Sequence, residues 1–136
     1  MNIVDTNVIS ELTRLSPHKG TLLWMQDNLD ASYLTSITLY EMRYGIERLP
    51  EGKRKNLLLQ KLSFIECSFE SRILAFGAPE AQFAGILRAQ AVCAGVNSSS
   101  EDIMIAAIAK VHDATLVTRN IKDFEVFDIK LYNPFE

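Results

Sequence analysis

Four polar residues stand where short apolar segments give way to something else. Asp5 follows Asn2-Ile3-Val4. Glu41 lies in the first turns of a helical stretch after Ser32-Tyr33-Leu34-Thr35. Asp102 heads the apolar run Ile103–Ala109, and Asn120 comes just past Thr115-Leu116-Val117-Thr118. In open α/β sheets ligands collect beyond the carboxyl ends of the strands, so acids in these places are candidate functional groups. Each also has a structural reading. Asp after a strand is a common helix N-cap. Glu41 shares a helical stripe with Ile37 and Tyr44, which puts it at the edge of a buried face or on a ligand. Asp102, beside Glu101, complements a helix N-terminus, and Thr118-Arg119-Asn120 has turn chemistry. Taken together the acids point to a site. At a separation of ~5 Å each pair of carboxylates repels by roughly 3 kcal/mol at an effective dielectric near 20. That is a large part of the ~5–15 kcal/mol that holds a domain folded. A divalent cation among the acids removes the conflict. Carboxylates and water, without His or Cys, suit Mg²⁺ or Mn²⁺ better than Zn²⁺. The chemistry such a site suits is phosphodiester hydrolysis, with an activated water and neutralised phosphate charge.

No other engine competes. The chain has no Gly-rich phosphate loop and no G-x-S-x-G elbow. His18 falls in a Pro- and Gly-containing loop, and His112 ends a helical stretch, where an imidazolium meets the dipole. Cys67 and Cys93 are far apart and read as buried free thiols of a reducing compartment. Two other functions stay in view. A phosphatase or phosphoryl-transfer domain using Asp5 wants a second acid at the first strand and a Lys near the last, and Val4-Asp5-Thr6-Asn7 supplies one acid. A catalytically degenerate binding module is the non-enzyme alternative, and Asn120 keeps it open.

The elements that must position these residues are short and regularly spaced. Strand signals fall at Ile3-Val4, Ser32–Thr35, Ile73–Phe76, Thr115–Thr118 and Ile129–Tyr132. Helices are expected over Val8–Leu15, Thr21–Leu29, Thr38–Leu49, Lys53–Phe64, Pro79–Ala94 and Ile103–His112. Pro79 suits a first turn and Gly95 the residue past an end. Ser98-x-x-Glu101 fits a capping box for the last helix. That helix is apolar nearly all round, which predicts burial in the domain or in a subunit interface. The alternation implies crossovers, hence a mostly parallel five-stranded sheet with helices on both faces.

At 136 residues one domain, 1–136, is expected. A net charge of −3 means that any contact with nucleic acid must come from local basic patches. Arg43, Arg48, Lys53, Arg54, Lys55 and Lys61 cluster on the third and fourth helices. They read as a solvated face, as a phosphate track, or as part of a groove for a partner segment. No apolar run is long enough for a transmembrane helix and no signal-peptide pattern opens the chain, so a cytoplasmic protein is expected.

Four segments together carry a resemblance. Ile3-Val4-Asp5-Thr6-Asn7-Val8-Ile9-Ser10, Ser36-Ile37-Thr38-Leu39-Tyr40-Glu41-Met42-Arg43-Tyr44-Gly45, Glu101-Asp102-Ile103-Met104-Ile105-Ala106-Ala107 and Leu116-Val117-Thr118-Arg119-Asn120-x-x-Asp123-Phe124 resemble the ordered motifs of PIN-domain proteins. Among these the chain is similar to the VapC-type toxins of toxin–antitoxin pairs and the FitB group. The resemblance implies a PIN-like three-layer α/β/α sandwich. It also implies a Mg²⁺- or Mn²⁺-dependent endoribonuclease, homodimeric and held inactive by a VapB-like antitoxin, with a transfer RNA or another structured RNA as substrate. Asp5 and Asp102 would be the main metal ligands, with Glu41 joining directly or through water. Asn120 takes a position where many relatives have Asp, with Asp123 and Glu101 as further acids nearby. Thr6, Ser36 and Thr118 would hydrogen-bond the acids, and Arg119 would meet substrate phosphate or orient an acid.

Overall fold

The computed structural model describes residues 1–136. Five strands, β1 (Asn2–Val4), β2 (Ser32–Thr35), β3 (Ile73–Leu74), β4 (Thr115–Val117) and β5 (Lys130–Tyr132), form one sheet in the order β3-β2-β1-β4-β5. Every pairing is parallel. Six helices lie between the strands: α1 (Thr6–Leu12), α2 (Lys19–Asn28), α3 (Ser36–Glu47), α4 (Lys53–Ser68), α5 (Ala78–Cys93) and α6 (Ser100–Val111). A parallel pair cannot be joined by a tight hairpin. β4 and β5 nonetheless lack an α-helix between them and are linked by two 3₁₀ turns, Ile121–Asp123 and Glu125–Phe127.

Side-chain alternation along the strands divides the core in two. Ile3 and Leu116 face one layer, where they meet α5, α6, Phe124 and Phe127. Val4, Leu34 and Val117 face the other, with Val8, Met25, Met42 and Leu62 from α1 to α4. The result is a three-layer α/β/α sandwich, as expected. Its first strands run outward in one direction, β1 to β2 to β3, and the chain then returns to the other side of β1 to lay down β4 and β5. The strand order therefore reverses between β1 and β4, and the crevice at their carboxyl ends is the place such sheets offer a ligand.

Element ends differ from expectation for local reasons. α1 begins two residues ahead of the expected Val8, because the Asp5 carboxylate caps it. The end of α5 is the expected one: Gly95 takes φ +73, and the Gly95 and Val96 amides return to Val92 and Ala91. The start of α6 is capped by Ser99, whose hydroxyl accepts from the Asp102 amide, so the expected Ser98–Glu101 box is replaced by its neighbour one residue on. The apolar wrap of α6 is satisfied inside the fold, with Ile103 and Ile105 to Ala109 all buried. The cysteines correct the expectation: Cys67 and Cys93 are both exposed. Each sits in the last turn of its helix, α4 or α5, with its side chain left in solvent.

Leu116 is fully buried in β4, the strand that supports the crevice. Leu116→Ala should cost about 2–5 kcal/mol of unfolding free energy. Urea denaturation measures this, and a cost well under that range would show that the central sheet is not the structural support described.

Candidate functional site

β1 ends at Val4, and Asp5 is the first residue outside it, 4% exposed. The Asp5 amide still donates to the Val117 carbonyl at 2.9 Å, which fixes the turn against β4. Its carboxylate is held from three sides. Oδ1 accepts from the Thr6 amide at 2.8 Å, while Oδ2 accepts from the Thr118 hydroxyl at 2.8 Å and from Asn7 Nδ2 at 3.1 Å. The capping reading and the site reading are thus both true of this side chain. Burial nevertheless outweighs these hydrogen bonds and raises the Asp5 pKa above its ordinary value, with the Asp123 charge adding to the shift.

Glu41 comes from the second turn of α3, the helix that follows β2. Its Oε1 accepts from the Thr6 hydroxyl at 2.7 Å, so one residue after Asp5 serves a second acid. Thr6 also meets the buried Thr38 hydroxyl at 3.1 Å, and Thr38 in turn contacts Thr35 at the end of β2. Glu41 is raised by partial burial and by the charges of Asp5 and Glu101. Asp102 stands in the first turn of α6, and its carboxyl is pushed up to about 6, first by burial and then by the charges of Asp5, Asp123 and Glu41. Asp5, Glu41 and Asp102 therefore share one electrostatic field. Asp123, on the 3₁₀ turn after β4, supplies the fourth negative charge in it.

The other expected site residues separate into those tied to the acids and those that are not. Thr118 and Thr6 hydrogen-bond Asp5 and Glu41 directly. Ser36 opens α3 but makes no hydrogen bond to an acid; Thr38, two residues on, fills that role through Thr6. The Asn120 amide donates from the backbone to Thr118 Oγ1 at 3.0 Å, while its side chain is exposed and caps nothing. Asn7, quoted in the first motif but given no role from sequence, joins three parts. Its Nδ2 reaches Asp5 and Thr118, and its Oδ1 accepts from the Arg119 amide at 3.1 Å. The Arg119 guanidinium lies 3.8 Å from the Phe135 ring centre and 3.9 Å from buried Glu11, with its N–H edges open to solvent. Beside it is a polar hollow of about 510 Å³ bounded by Arg119, Lys122, Asp123 and Asn133.

The acids do not close into a finished coordination shell. No three His, Cys, Asp or Glu side chains stand close enough to hold an ion between them. The tight trio considered from sequence is therefore looser than a separation of ~5 Å would make it. An oxygen-only donor set with one or two carboxylates suits a cation that keeps much of its water, which is how Mg²⁺ is commonly bound.

A parallel α/β/α sandwich with acids gathered at its strand-order reversal defines a fold class with a ligand crevice at the carboxyl ends of its strands, and comparison with known proteins names the family. The PIN domain family model matches residues 3–130, and the chain belongs to that family. It is 37% identical to toxin FitB of Neisseria gonorrhoeae, with 99% of each chain covered. It is 33% identical to VapC ribonuclease Y4jK of Sinorhizobium fredii, over 100% of this chain and 99% of the relative. Among solved structures, FitAB bound to an IR36 DNA fragment superposes with a TM-score of 0.93 at 37% identity, over 100% of this chain and 96% of that one. VapBC2 of Rickettsia felis bound to promoter DNA gives 0.84 at 27% identity, over 97% of each.

The raised Asp102 pKa fixes a sign for stability. Its ordinary value is 3.8 and the folded value about 6, so the fold favours the protonated form. Ionisation costs nothing below the lower value; the cost grows as pH rises between the two and is complete above the higher one. Metal-free protein should therefore melt about 2–4 °C higher at pH 5.5 than at pH 7.5 after subtraction of the same difference for Asp102→Asn. Scanning calorimetry in EDTA measures both; a variant that keeps the whole pH dependence of the parent would remove Asp102 from the shared field.

Proposed function

We propose that this chain is a Mg²⁺- or Mn²⁺-dependent endoribonuclease, the toxin of a toxin–antitoxin pair, acting in the cytoplasm as a single PIN domain. The observation that carries the reading is the convergence of Asp5, Glu41, Asp102 and Asp123 on one crevice, where burial and mutual repulsion raise three of the four. The names of its relatives supply the substrate class: they include VapC ribonucleases. Asp5 and Asp102 would hold the ion, with Glu41 completing the set directly or through water. A bound Mg²⁺ or Mn²⁺ supplies Lewis acidity to a phosphate oxygen and lowers the pKa of a water.

The chain's own residues do the rest. Thr118, Asn7 and the Thr6 amide hold Asp5 in one rotamer. Thr6 fixes Glu41 through Oε1, which leaves Oε2 to accept a proton from an attacking water. A raised pKa makes that carboxylate a better base near neutral pH. The half-exposed Arg119 guanidinium, held over the Phe135 ring, offers N–H donors to a phosphate. The water oxygen then bonds to phosphorus and gives its proton to Glu41, while the bond to one strand oxygen breaks and that oxygen takes a proton from solvent water to leave as a hydroxyl.

The partner assignments follow the neighbours, several of which are toxin–antitoxin complexes. An apolar groove of about 530 Å³ lies between α1, α2 and α4, lined by Ile9, Leu12, Met25, Leu57 and Phe64. It suits the apolar face of an antitoxin helix, and it is not the α3–α4 cleft considered from sequence. Exposed Tyr40 and Tyr44 on α3 with Phe83 and Ile86 on α5 suit a second copy of the chain.

The test is incubation with a panel of transfer RNAs and structured RNAs in Mg²⁺ or Mn²⁺, with EDTA as control. Asp5→Asn and Asp102→Asn should each lower the cleavage rate by about 100-fold or more, and Thr118→Val by about 10- to 100-fold. RNA that stays intact under all conditions would return the chain to the binding-module reading. Cleavage untouched by these substitutions would remove the site.

A further inference from the structure

The basic side chains of α3 and α4 are of two kinds. Some are already engaged with neighbours. Arg43 Nε donates to Glu47 at 2.7 Å, and buried Lys55 lies between Glu47 and Glu51 at 3.3 and 2.8 Å. Arg48 lies over the Tyr44 ring. Lys53 and Arg54, by contrast, are exposed and take part in none of the ion pairs or side-chain hydrogen bonds. With Arg14 and Lys61 they line a hollow of about 730 Å³ between the end of α1 and the first turns of α4, and no acid is on its wall. Lys61 spends one donor on the Thr13 carbonyl and Arg14 one on Glu11. Two donors remain on the first and four on the second. Lys53, Arg54 and Lys61 have no ion-pair partner and face one space beside Arg14, which is paired with Glu11; in a chain of net charge −3 these cations repel one another unless an anion joins them.

The hollow is not isolated. A second one, about 230 Å³, shares Thr13, Arg54 and Leu58 with it and ends at Thr6 and Glu41. The two hollows form one furrow that runs from the cations to Glu41 at the rim of the acid crevice. Thr6, Ser10 and Thr13 line it along a single face of α1, at the i, i+4, i+7 spacing. At 1.5 Å rise per residue Thr13 is about 10 Å along the axis from Thr6, the length of roughly three stacked nucleotides at 3.4 Å each.

We propose that the Arg14–Lys53–Arg54–Lys61 hollow binds backbone phosphates of the RNA strand about three nucleotides from the bond being cut, with the α1 hydroxyls facing the intervening sugars. The direction of the strand rests on the nuclease reading above; the polyanion site itself does not. An acidic protein segment is the competing occupant. It is disfavoured because the furrow joins the cations to Glu41, while the apolar groove only borders the hollow, at Thr13, Leu57 and Lys61.

The test measures binding, so that it does not depend on turnover. Asp5→Asn protein is titrated into a fluorescent single-stranded 12-nucleotide RNA with and without Lys53→Ala/Arg54→Ala, and the parent in EDTA is run in parallel in case Asp5→Asn perturbs the crevice. The double substitution should weaken binding about tenfold and lower the slope of log affinity against log salt by about 1.4, or 0.7 for each phosphate left without its cation. Arg88→Ala, an exposed cation on α5, should change neither. Unchanged affinity and slope in the double variant would overturn the proposal. So would loss of binding to poly-glutamate while RNA binding is retained, which would give the hollow to an acidic protein segment. If the parent cuts no RNA but the double variant still binds RNA more weakly, the binding site stands and the nuclease reading falls.

Discussion

The structure depends on a buried carboxylate that the fold both needs and resists. Asp5 closes β1, caps α1 and, through Thr118, ties the end of β1 to the end of β4. An ionised group at 4% exposure is expensive to desolvate, and its three donors offset only part of that cost. A neutral capping residue such as Ser or Thr could close the same turn without the penalty. The choice of an acid here therefore makes sense only if its charge has a use. The same applies to Asp102, where Ser99 already caps α6 and the carboxylate adds repulsion with Asp5.

Neutral polar groups, not opposite charges, hold the acids. Thr35, Thr38 and Thr118 are fully buried, and with Thr6 and Asn7 they form a hydrogen-bonded lattice behind Asp5 and Glu41. A Lys or Arg in those positions would neutralise the crevice permanently. Hydroxyls and an amide fix orientation and leave the negative charge for a ligand. Arg119 is consistent with this arrangement. Its guanidinium is held over Phe135 and leans toward Glu11, so it stands at the rim and its charge is not spent on the acids.

Much of this was legible in the sequence, and the rest was hidden for identifiable reasons. Short apolar strands with helical stretches between them imply a parallel sheet, because such connections allow little else. Asp5, Glu41 and Asp102 could be placed at one edge for the same reason. Which hydroxyl serves which acid could not. Ser36 and Thr38 differ by two residues, about 200° around a helix at 3.6 residues per turn, and only packing decides which one faces Thr6. Asn120 and Asp123 could not be ranked because the 3₁₀ turn between β4 and β5 has no periodic signal; the turn brings the Asp123 charge to the crevice and leaves the Asn120 side chain in solvent. The cysteines were misplaced because apolar composition reports preference and not position.

The sorting of cations follows from the same constraint. A crevice rich in carboxylates repels a polyanion, and the net charge of −3 gives no long-range attraction. Binding must then come from positive groups near the acids but kept from pairing with them. Glu47 and Glu51 neutralise Arg43 on α3 and Lys55 on α4, which stops these two from competing for phosphate. Lys53 and Arg54, next in sequence to Lys55, have no such partner and face the furrow that leads to Glu41. Adjacent residues on one helix turn are thereby given opposite electrostatic roles, because the helical period points one at Glu47 and the others at open space. Arg54 and Glu41 line one hollow without forming an ion pair, so each keeps its charge for a ligand that meets both.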